Sequence, residues 1–553
     1  MSLSANPEPE LLDTTGWLAG KLPETSVFRL LHERGGLLFP GSMFADLFES
    51  VGRDCVPVRV IATVMVLQKL LGASDRDAVD RLAFDVRWRF ACGLPAQGDA
   101  FHATVLVGMR ARLAKSKRPS RIFDAVLDLA KSANLIGRRR VVDSTAIYDA
   151  VATMDTVTMV RNGLCGVFRE LADPADLVTF RAVVLRDDMY AVPGKPSCAD
   201  WDSAKERATL VDALARDGHA VTAAADGRTW PVEVKAALRL LATLLGQDIV
   251  QAEDGRFEIR RGVAPDRIIS TVDPEARHGH KTSSKGFDGY KGHIAIDPDV
   301  ELITAVAVTP GNAKDSGVTE TILADVLPVT AAALVPAATP SLDAVNRDAD
   351  VVSESSAAPS SPPSPTDQPV EVYGDAGYAA ADLLDRLNEA GVDAYIHVPA
   401  AGSKNGCFSK ADFEIDLAGR TVRCPQKITV PIQTRPSGQV ADFGAHCTGC
   451  PLRDACTQAK HGGRHITIHA REAALSRGRE RHAEAGRKKR YNETRPKVER
   501  KFGHLMRPRH GGRRGRVIGL QKVFRDFEML AAAINLARIA VLAANPASSL
   551  RVA

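Results

Sequence analysis

Two short apolar runs, VVDST at 141–145 and VYGDAGY at 372–378, each carry an aspartate where a buried strand gives way to turn chemistry. Taken alone, each is a strand followed by a turn, because Gly-Asp-Ala-Gly is good turn sequence. The order of the surrounding segments asks more of them. Residues 150–265 are mostly helical in pattern, as in VEVKAALRLLATLLG, and form a helical insertion. HIAIDPD and LITAVAVTP then read as a strand pair turning at Asp297 to Asp299, and 315–328 as a helix. Residues 333–370 are rich in Ala, Pro and Ser and read as a linker or disordered insert. After VYGDAGY come a helix over 380–391 and the strand-like DAYIHVP.

Strand, strand, strand, helix, strand, helix, strand predicts an α/β domain whose mixed sheet starts antiparallel and continues parallel, the RNase H-like order. In such a sheet the first and fourth strands are neighbours, so Asp143 and Asp375 meet at its edge. Two like charges brought that close repel unless a cation neutralises them. Hard divalent ions with oxygen ligands suit the pair, and two ions about 3.5–4 Å apart are the recurring arrangement for phosphodiester displacement.

Such a site wants a third carboxylate, and YNETRPKVERKFGHLMR supplies it. Val498, Phe502 and Leu505 form a core-facing helical stripe, with Arg495 and Glu499, four apart, on its shoulder. Glu493 competes, but it precedes Pro496 at the helix start, where capping explains it. The flanking segments, RGRERHAEAGRKKRYNETRPKVERK and RPRHGGRRGR, are overwhelmingly basic. A one-signed field beside carboxylates suits a polyanion, and Lys488, Lys489, Arg490, Arg495, Arg513 and Arg514 are its candidate DNA-binding residues.

Of the nine cysteines, Cys424, Cys447, Cys450 and Cys456 cluster in VRCP and HCTGCPLRDAC. Four thiolates complete a tetrahedral zinc shell, and Cys-x2-Cys lets two sulfurs reach one ion; four protein ligands would make the site structural. Cys407 and His446 are the substitutes, and reduced thiols in a surface loop are the alternative. Near the N-terminus, VRVIATVMVLQKLL reads as a buried helix stopped by Gly72. Ser74 with Asp77 caps a second helix running to Gly93, and FHATVLVGMRARLAK forms a third. Helix, Gly-containing turn, helix is the shape of a helix-turn-helix unit, in which Arg87, Arg89, Arg110 and Arg112 would face phosphate. A plain helical bundle has the same pattern.

At 553 residues, 45% hydrophobic and 25% charged, the chain has material for two to four domains. The start, MSLSANPEPELLDTTG, has no basic segment before an apolar core and reads as no signal peptide, which points to the cytoplasm and reduced thiols. FEMLAAAINLARIAVLAANP is interrupted by Glu528, Asn535 and Arg538 and reads as a packed helix, with no membrane role.

Together SDRDAVDRLAFDVRWRFACGL, VVDST, DPEARHGHK, GYKGH with VTPGNAKD, GDAGY, the cysteine cluster, RPKVERKFG and INLARI resemble a bacterial insertion-sequence transposase with an Asp-Asp-Glu site. The likeness covers most of the chain and points to the IS-five superfamily and its eleven-eighty-two-like branch. The resemblance implies Asp143, Asp375 and Glu499 as the metal-binding triad, Arg495 as the basic residue of the glutamate helix, and two Mg2+ ions, with Mn2+ able to replace them. It implies double-stranded DNA as partner, both terminal inverted repeats and target, and a homodimer or larger synaptic complex. The associated tyrosine-arginine-glutamate-lysine signature is imperfect: Tyr491 is one residue too far from Arg495, and Met506 stands at the lysine position.

The organisation expected is an N-terminal helical DNA-binding domain over 1–135 and a first catalytic part over 136–332 containing the insertion. The linker 333–370, a catalytic continuation over 371–399, a zinc-binding insertion with structural Zn2+ over 400–465 and a basic C-terminal part over 466–553 follow. A related nuclease that cuts without joining, and a catalytically inactive zinc-containing DNA-binding protein, are the alternative functions.

Overall fold

The computed structural model describes residues 15–327, 369–400, 402 and 406–545, less 50, 53, 191–195, 199, 283, 437 and 460. The segment read as a linker lies outside the described residues, save 369 and 370. Six helices come first: α1 (Val27–Leu38), α2 (Val58–Leu71), α3 (Asp75–Phe84), α4 (Val86–Cys92), α5 (Thr104–Lys115) and α6 (Arg121–Ser132). α2 buries ten of its fourteen residues. It stops at Gly72, whose left-handed φ of 62° and contact with the Arg509 carbonyl leave no room for a side chain. Ser74 and Asp77 form the anticipated capping box at α3. The single helix expected from there to Gly93 is instead two, because Asp85 is extended and its side chain caps α4 at Arg87 N.

The main sheet contains β1 (Arg139–Tyr148), β4 (Arg277–Thr282), β5 (Lys285–Asp297), β6 (Leu302–Pro310), β7 (Glu371–Gly374) and β8 (Asp393–Ile396), in the order β4-β5-β1-β7-β8, with β6 also on β5. β1 is antiparallel to β5 and parallel to β7, as the order of elements requires. β4 was not foreseen. A short helix α11 (Thr319–Ile322), far briefer than the run expected over 315–328, and α12 (Ala381–Glu389) cover one face. Side chains alternate across the sheet, so Val142, Ala295 and Val372 pack under these helices, while Val141, Ile294 and Tyr373 join the opposite core.

That opposite core does not end at the expected boundary at 135. It joins α1, α2 and α6 to β1, β5 and β6 through α16 (Pro496–Leu505) and α17 (Leu520–Ala543). α17 lies between the N-terminal helices and β6, and Ala531, Ala532 and Ala533 permit the close approach. Its buried Asn535 pairs with both the N–H and C=O of Ile303, at 2.9 and 2.7 Å, where β6 bulges against β5. Removing that amide would strand both backbone groups at a cost of about 1–3 kcal/mol.

Between β1 and β4, the helices α7 (Thr156–Glu170), α8 (Pro174–Ala182), α9 (Ala204–Ala224) and α10 (Val232–Asp248), with the hairpin β2 (Ile249–Gln251) and β3 (Phe257–Ile259), enclose a core of their own. The cysteine-rich segment is a five-stranded antiparallel sheet of β9 (Glu414–Asp416), β10 (Thr421–Arg423), β11 (Thr429–Arg435), β12 (Gly438–Asp442) and β13 (His465–Ile468), with the short α13 (Arg453–Cys456). α14 (Glu472–Ala483) and α15 (Ala485–Thr494) lead from it to α16. No described helix is long and apolar enough to cross a membrane.

Candidate active site

β1 does not end on its aspartate: Asp143 is the fifth of ten residues, because β5 pairs with β1 as far as Tyr148. On its other edge β1 pairs with β7 from Arg139 and Glu371 only as far as Val141 and Tyr373. Beyond that pair the two parallel strands part, and each carries an aspartate two residues on, Asp143 and Asp375. Crevices at the carboxyl ends of parallel strands are where open sheets place ligands.

Arg495 stands in this crevice. It joins α15 to α16 with helical dihedrals and bonds its N–H to Tyr491 O at 2.8 Å, so the turn runs on and Tyr491, Arg495 and Glu499 share a face. Its guanidinium lies 3.0 Å from Asp143, 3.7 Å from Asp375 and 3.2 Å from Glu499. Asp375 also caps its own turn, accepting from Gly377 N at 2.9 Å, and Asp143 accepts from Ser144 N at 2.8 Å. Val498, Phe502 and Leu505 are buried, which leaves Glu499 on the shoulder with a 64% exposed side chain.

The balance of charge is unequal. Burial pushes the Asp143 carboxyl up to about 6; Arg495 pulls against this, and Asp375 and Glu499 add to it. Burial opposes the charge on Arg495, but the three acids hold it above its ordinary range. Tyr491, displaced by one residue from the signature, still faces the group: burial raises its hydroxyl, with Asp375, Asp143 and Glu499 contributing. Among the described residues no three His, Cys, Asp or Glu side chains already stand at metal-ligating spacing.

The basic residues divide. Lys488, Lys489, Arg513 and Arg514 are exposed. Arg513 and Arg514 sit on a backbone tied to the far end of β1, Tyr148 N donating to Arg513 O at 3.0 Å and Gly515 N to Tyr148 O at 2.7 Å. Arg490 is also exposed and bonds Glu371 and Tyr373, Arg514 Nε donates to the Asp149 carbonyl at 3.3 Å, and Arg495 is turned to the acids rather than to solvent. The four N-terminal arginines read as phosphate-facing are also engaged within the fold. Arg89 is buried and donates to four backbone carbonyls, Arg87 pairs with Asp85, Arg110 with Asp75, and Arg112 lies over the Phe48 ring.

Cys424, Cys447, Cys450 and Cys456, all free thiols, line one cavity of about 20 Å3 together with His446. Gly449 takes a left-handed φ of 75° in the Cys-x2-Cys turn, and Arg464 N lies 3.4 Å from the Cys447 sulfur. Burial raises the Cys456 thiol, with the other three cysteines adding to it and Arg464 opposing. Cys407 is buried and does not line the cavity.

Sequence reasoning passed over the groups behind the crevice. Ser144 Oγ and Lys291 Nζ each donate to Asp315 at 2.8 Å. Lys291 and Asp315 lay in GYKGH and VTPGNAKD, and their sequence signal was charge inside apolar strands and turns.

Three family models match parts of the chain: a transposase domain, DUF772, over 25–112, a transposase DDE domain over 224–344, and a second transposase DDE domain over 423–540. The last contains Arg495 and Glu499, whereas Asp143 and Asp375 fall outside all three. No curated protein and no solved structure matches. Such domains imply nuclease or transposition chemistry on DNA. The chain thus carries transposase DDE domains beside a DUF772 transposase domain, and these support an insertion-sequence transposase.

Proposed function

We propose that this chain cleaves DNA at insertion-sequence ends and joins the freed 3′-OH to target DNA, using Asp143, Asp375 and Glu499, as a member of the IS-five superfamily and its eleven-eighty-two-like branch. The observation that carries the reading is one buried guanidinium shared by three carboxylates from distant parts of the chain. Three acids against one cation leave an excess of negative charge on hard oxygen donors, which suits Mg2+ or Mn2+. Divalent ions bound there would polarise the scissile phosphodiester and the attacking oxygen.

The chain's own residues divide the remaining work. β1 fixes Asp143, the Gly377 N–H orients Asp375, and Glu499 approaches from an exposed helix shoulder. Arg495 holds the acids together in the absence of ions and, once they bind, turns its fork of donors to a phosphate. Lys488, Lys489, Arg513 and Arg514 contact the DNA backbone. Exposed faces of the N-terminal helices read the terminal repeats, and two chains or more pair the element's ends in the cytoplasm. Cys424, Cys447, Cys450 and Cys456 fit a structural Zn2+ in donor type and in sharing one cavity, within an insertion at 400–465 of the catalytic domain.

The test is cleavage of a labelled duplex carrying the DNA that flanks this coding region, with Asp143→Asn beside the wild type. The reading requires that Asp143→Asn bind the duplex but not cut it; cutting at the wild-type rate would remove Asp143 from the chemistry.

A further inference from the structure

On the opposite face of β1 from Asp143, a polar cluster sits in the apolar layer beneath α11 and α12. Lys291 Nζ donates to Asp315 Oδ1 and to the Ala313 carbonyl, both at 2.8 Å, and Ser144 Oγ donates to Asp315 Oδ2 at 2.8 Å. The Lys291 and Asp315 side chains are only 16% and 14% exposed. Next to them His293 bonds Tyr378 Oη and Thr309 Oγ1, each at 3.0 Å. A charge pair in such surroundings is weak evidence for stability, because desolvation offsets much of its attraction. Its position is more informative than its strength.

Asp315 begins the turn Asp315–Val318, which packs on the turn Ala376–Tyr378 that follows Asp375. A methyl group on Gly377 would stand 2.9 Å from Asp315 Oδ2 and 3.1 Å from Asp375 Oδ1, so Gly377 is the thin wall between the two carboxylates. Asp315 thus touches β5 through Lys291, three residues before the Ile294 that pairs with Asp143, the residue after Asp143 through Ser144, and the loop of Asp375 through Gly377. Both its oxygens are taken, which separates it from a metal-ligand role.

We propose that the Lys291–Asp315 pair is a positioning device that sets the Asp375 loop against Asp143, so that the two carboxylates hold a spacing fit for one divalent ion. The inference rests on the metal-dependent reading of the acidic crevice. Lys291 neutralises Asp315, which otherwise would repel Asp375 across Gly377. Ser144 couples the brace to the strand that carries Asp143.

The experiment uses the full chain and Mn2+ alone as the probe, comparing wild type, Asp315→Asn, Lys291→Met, and the conservative Asp315→Glu and Lys291→Arg. Two quantities are read: hydrogen exchange of the segment 372–380 without metal, and Mn2+ affinity by calorimetry. Asp315→Asn and Lys291→Met should speed exchange of that segment at least tenfold, leave exchange of α17 unchanged, and weaken Mn2+ binding at least tenfold, with Lys291→Arg recovering part of both. Unchanged exchange at 372–380 in Asp315→Asn, or exchange raised equally in α17, overturns the brace. Should the wild type bind no Mn2+, the metal reading of the crevice fails by itself, and the exchange comparison still decides whether Asp315 positions the loop. If Lys291→Met fails to fold, Asp315→Asn and Lys291→Arg carry the same decision.

Discussion

At the acidic crevice three carboxylates arrive from residues 143, 375 and 499 and meet a guanidinium that belongs to the fold. In the cysteine lobe four thiols arrive from within residues 424–456 and line one small cavity, where the Arg464 N–H lies 3.4 Å from the Cys447 sulfur. The guanidiniums of the two arginines that line the cavity bond to backbone, Arg453 donating to the carbonyls of Cys447, Ala459 and Gly462, and Arg464 to that of Phe408. The first site is assembled by the whole sheet and carries its own counter-charge. The second is local, rests on its own small core, and lacks an internal replacement for a metal. The difference teaches that loss of metal should silence the crevice without unfolding it, and should loosen the lobe.

The largest effect expected is on chemistry. Asp375→Ala should lower DNA cleavage by roughly 10^4-fold, the scale seen when one member of a catalytic constellation is removed. Its thermal melting should remain near that of the wild type, since Arg495 keeps two acid partners; a collapse of the fold would erase the contrast with the lobe. Next, on the zinc reading proposed above, treatment with a strong chelator should speed proteolysis between residues 405 and 460 while leaving exchange of β1 unchanged. Equal sensitivity before and after chelation would reduce the lobe to free thiols.

Arg495→Met sharpens the comparison from the other side. It leaves the buried Asp143 carboxylate beside two acids, and the metal-free fold should lose about 3 kcal/mol, the scale of breaking a buried pair. Added Mn2+ should restore more stability to the variant than it adds to the wild type. Equal gains would mean that the guanidinium and the ion do not compete.

A smaller, pH-dependent effect belongs to the far face of the sheet. Burial pushes His293 down to about 4, with Asp315 opposing and Lys291 assisting. The unfolded chain then binds more protons than the folded one between about 4 and 6.5, so stability from neutral His293 is present above pH 6.5 and is lost as pH falls toward 4. Denaturant melts across that window should show a decline of up to roughly 3 kcal/mol that His293→Gln flattens. The smallest effect is at the surface, where Lys488→Ala should weaken duplex binding uniformly and reduce the salt slope by about one.

The sheet order was legible because strand-like runs and helical patterns alternate in a sequence that admits few topologies. The parallel pairing of β1 with β7, which joins residues either side of an insertion and an interrupting segment, follows from that order alone. The shoulder position of Glu499 was legible from Val498, Phe502 and Leu505. Less legible was anything set by tertiary partners. Asp143 read as a strand end because turn-like Ser and Thr follow it, yet pairing with β5 carries the strand on to Tyr148. Arginine spacing in the N-terminal helices suggested phosphate contacts, but Arg89 is drawn inside by carbonyls of the loop after α4. Arg495 was legible as basic and near Glu499, whereas its simultaneous hold on Asp143 and Asp375 depends on where β1 and β7 part. Lys291 and Asp315 gave no periodic signal, because a charge pair closed across two strands and a turn has none.

The most direct test of the central claim is strand transfer from a pre-cut DNA end bearing a 3′-OH into a plasmid, with Mg2+, comparing wild type and Glu499→Gln. Glu499 is the most exposed of the three acids and the one least needed by the fold. Joined product from the wild type and none from a folded, DNA-binding Glu499→Gln is the predicted result. Equal joining by both proteins would contradict the assignment of the three carboxylates to one site.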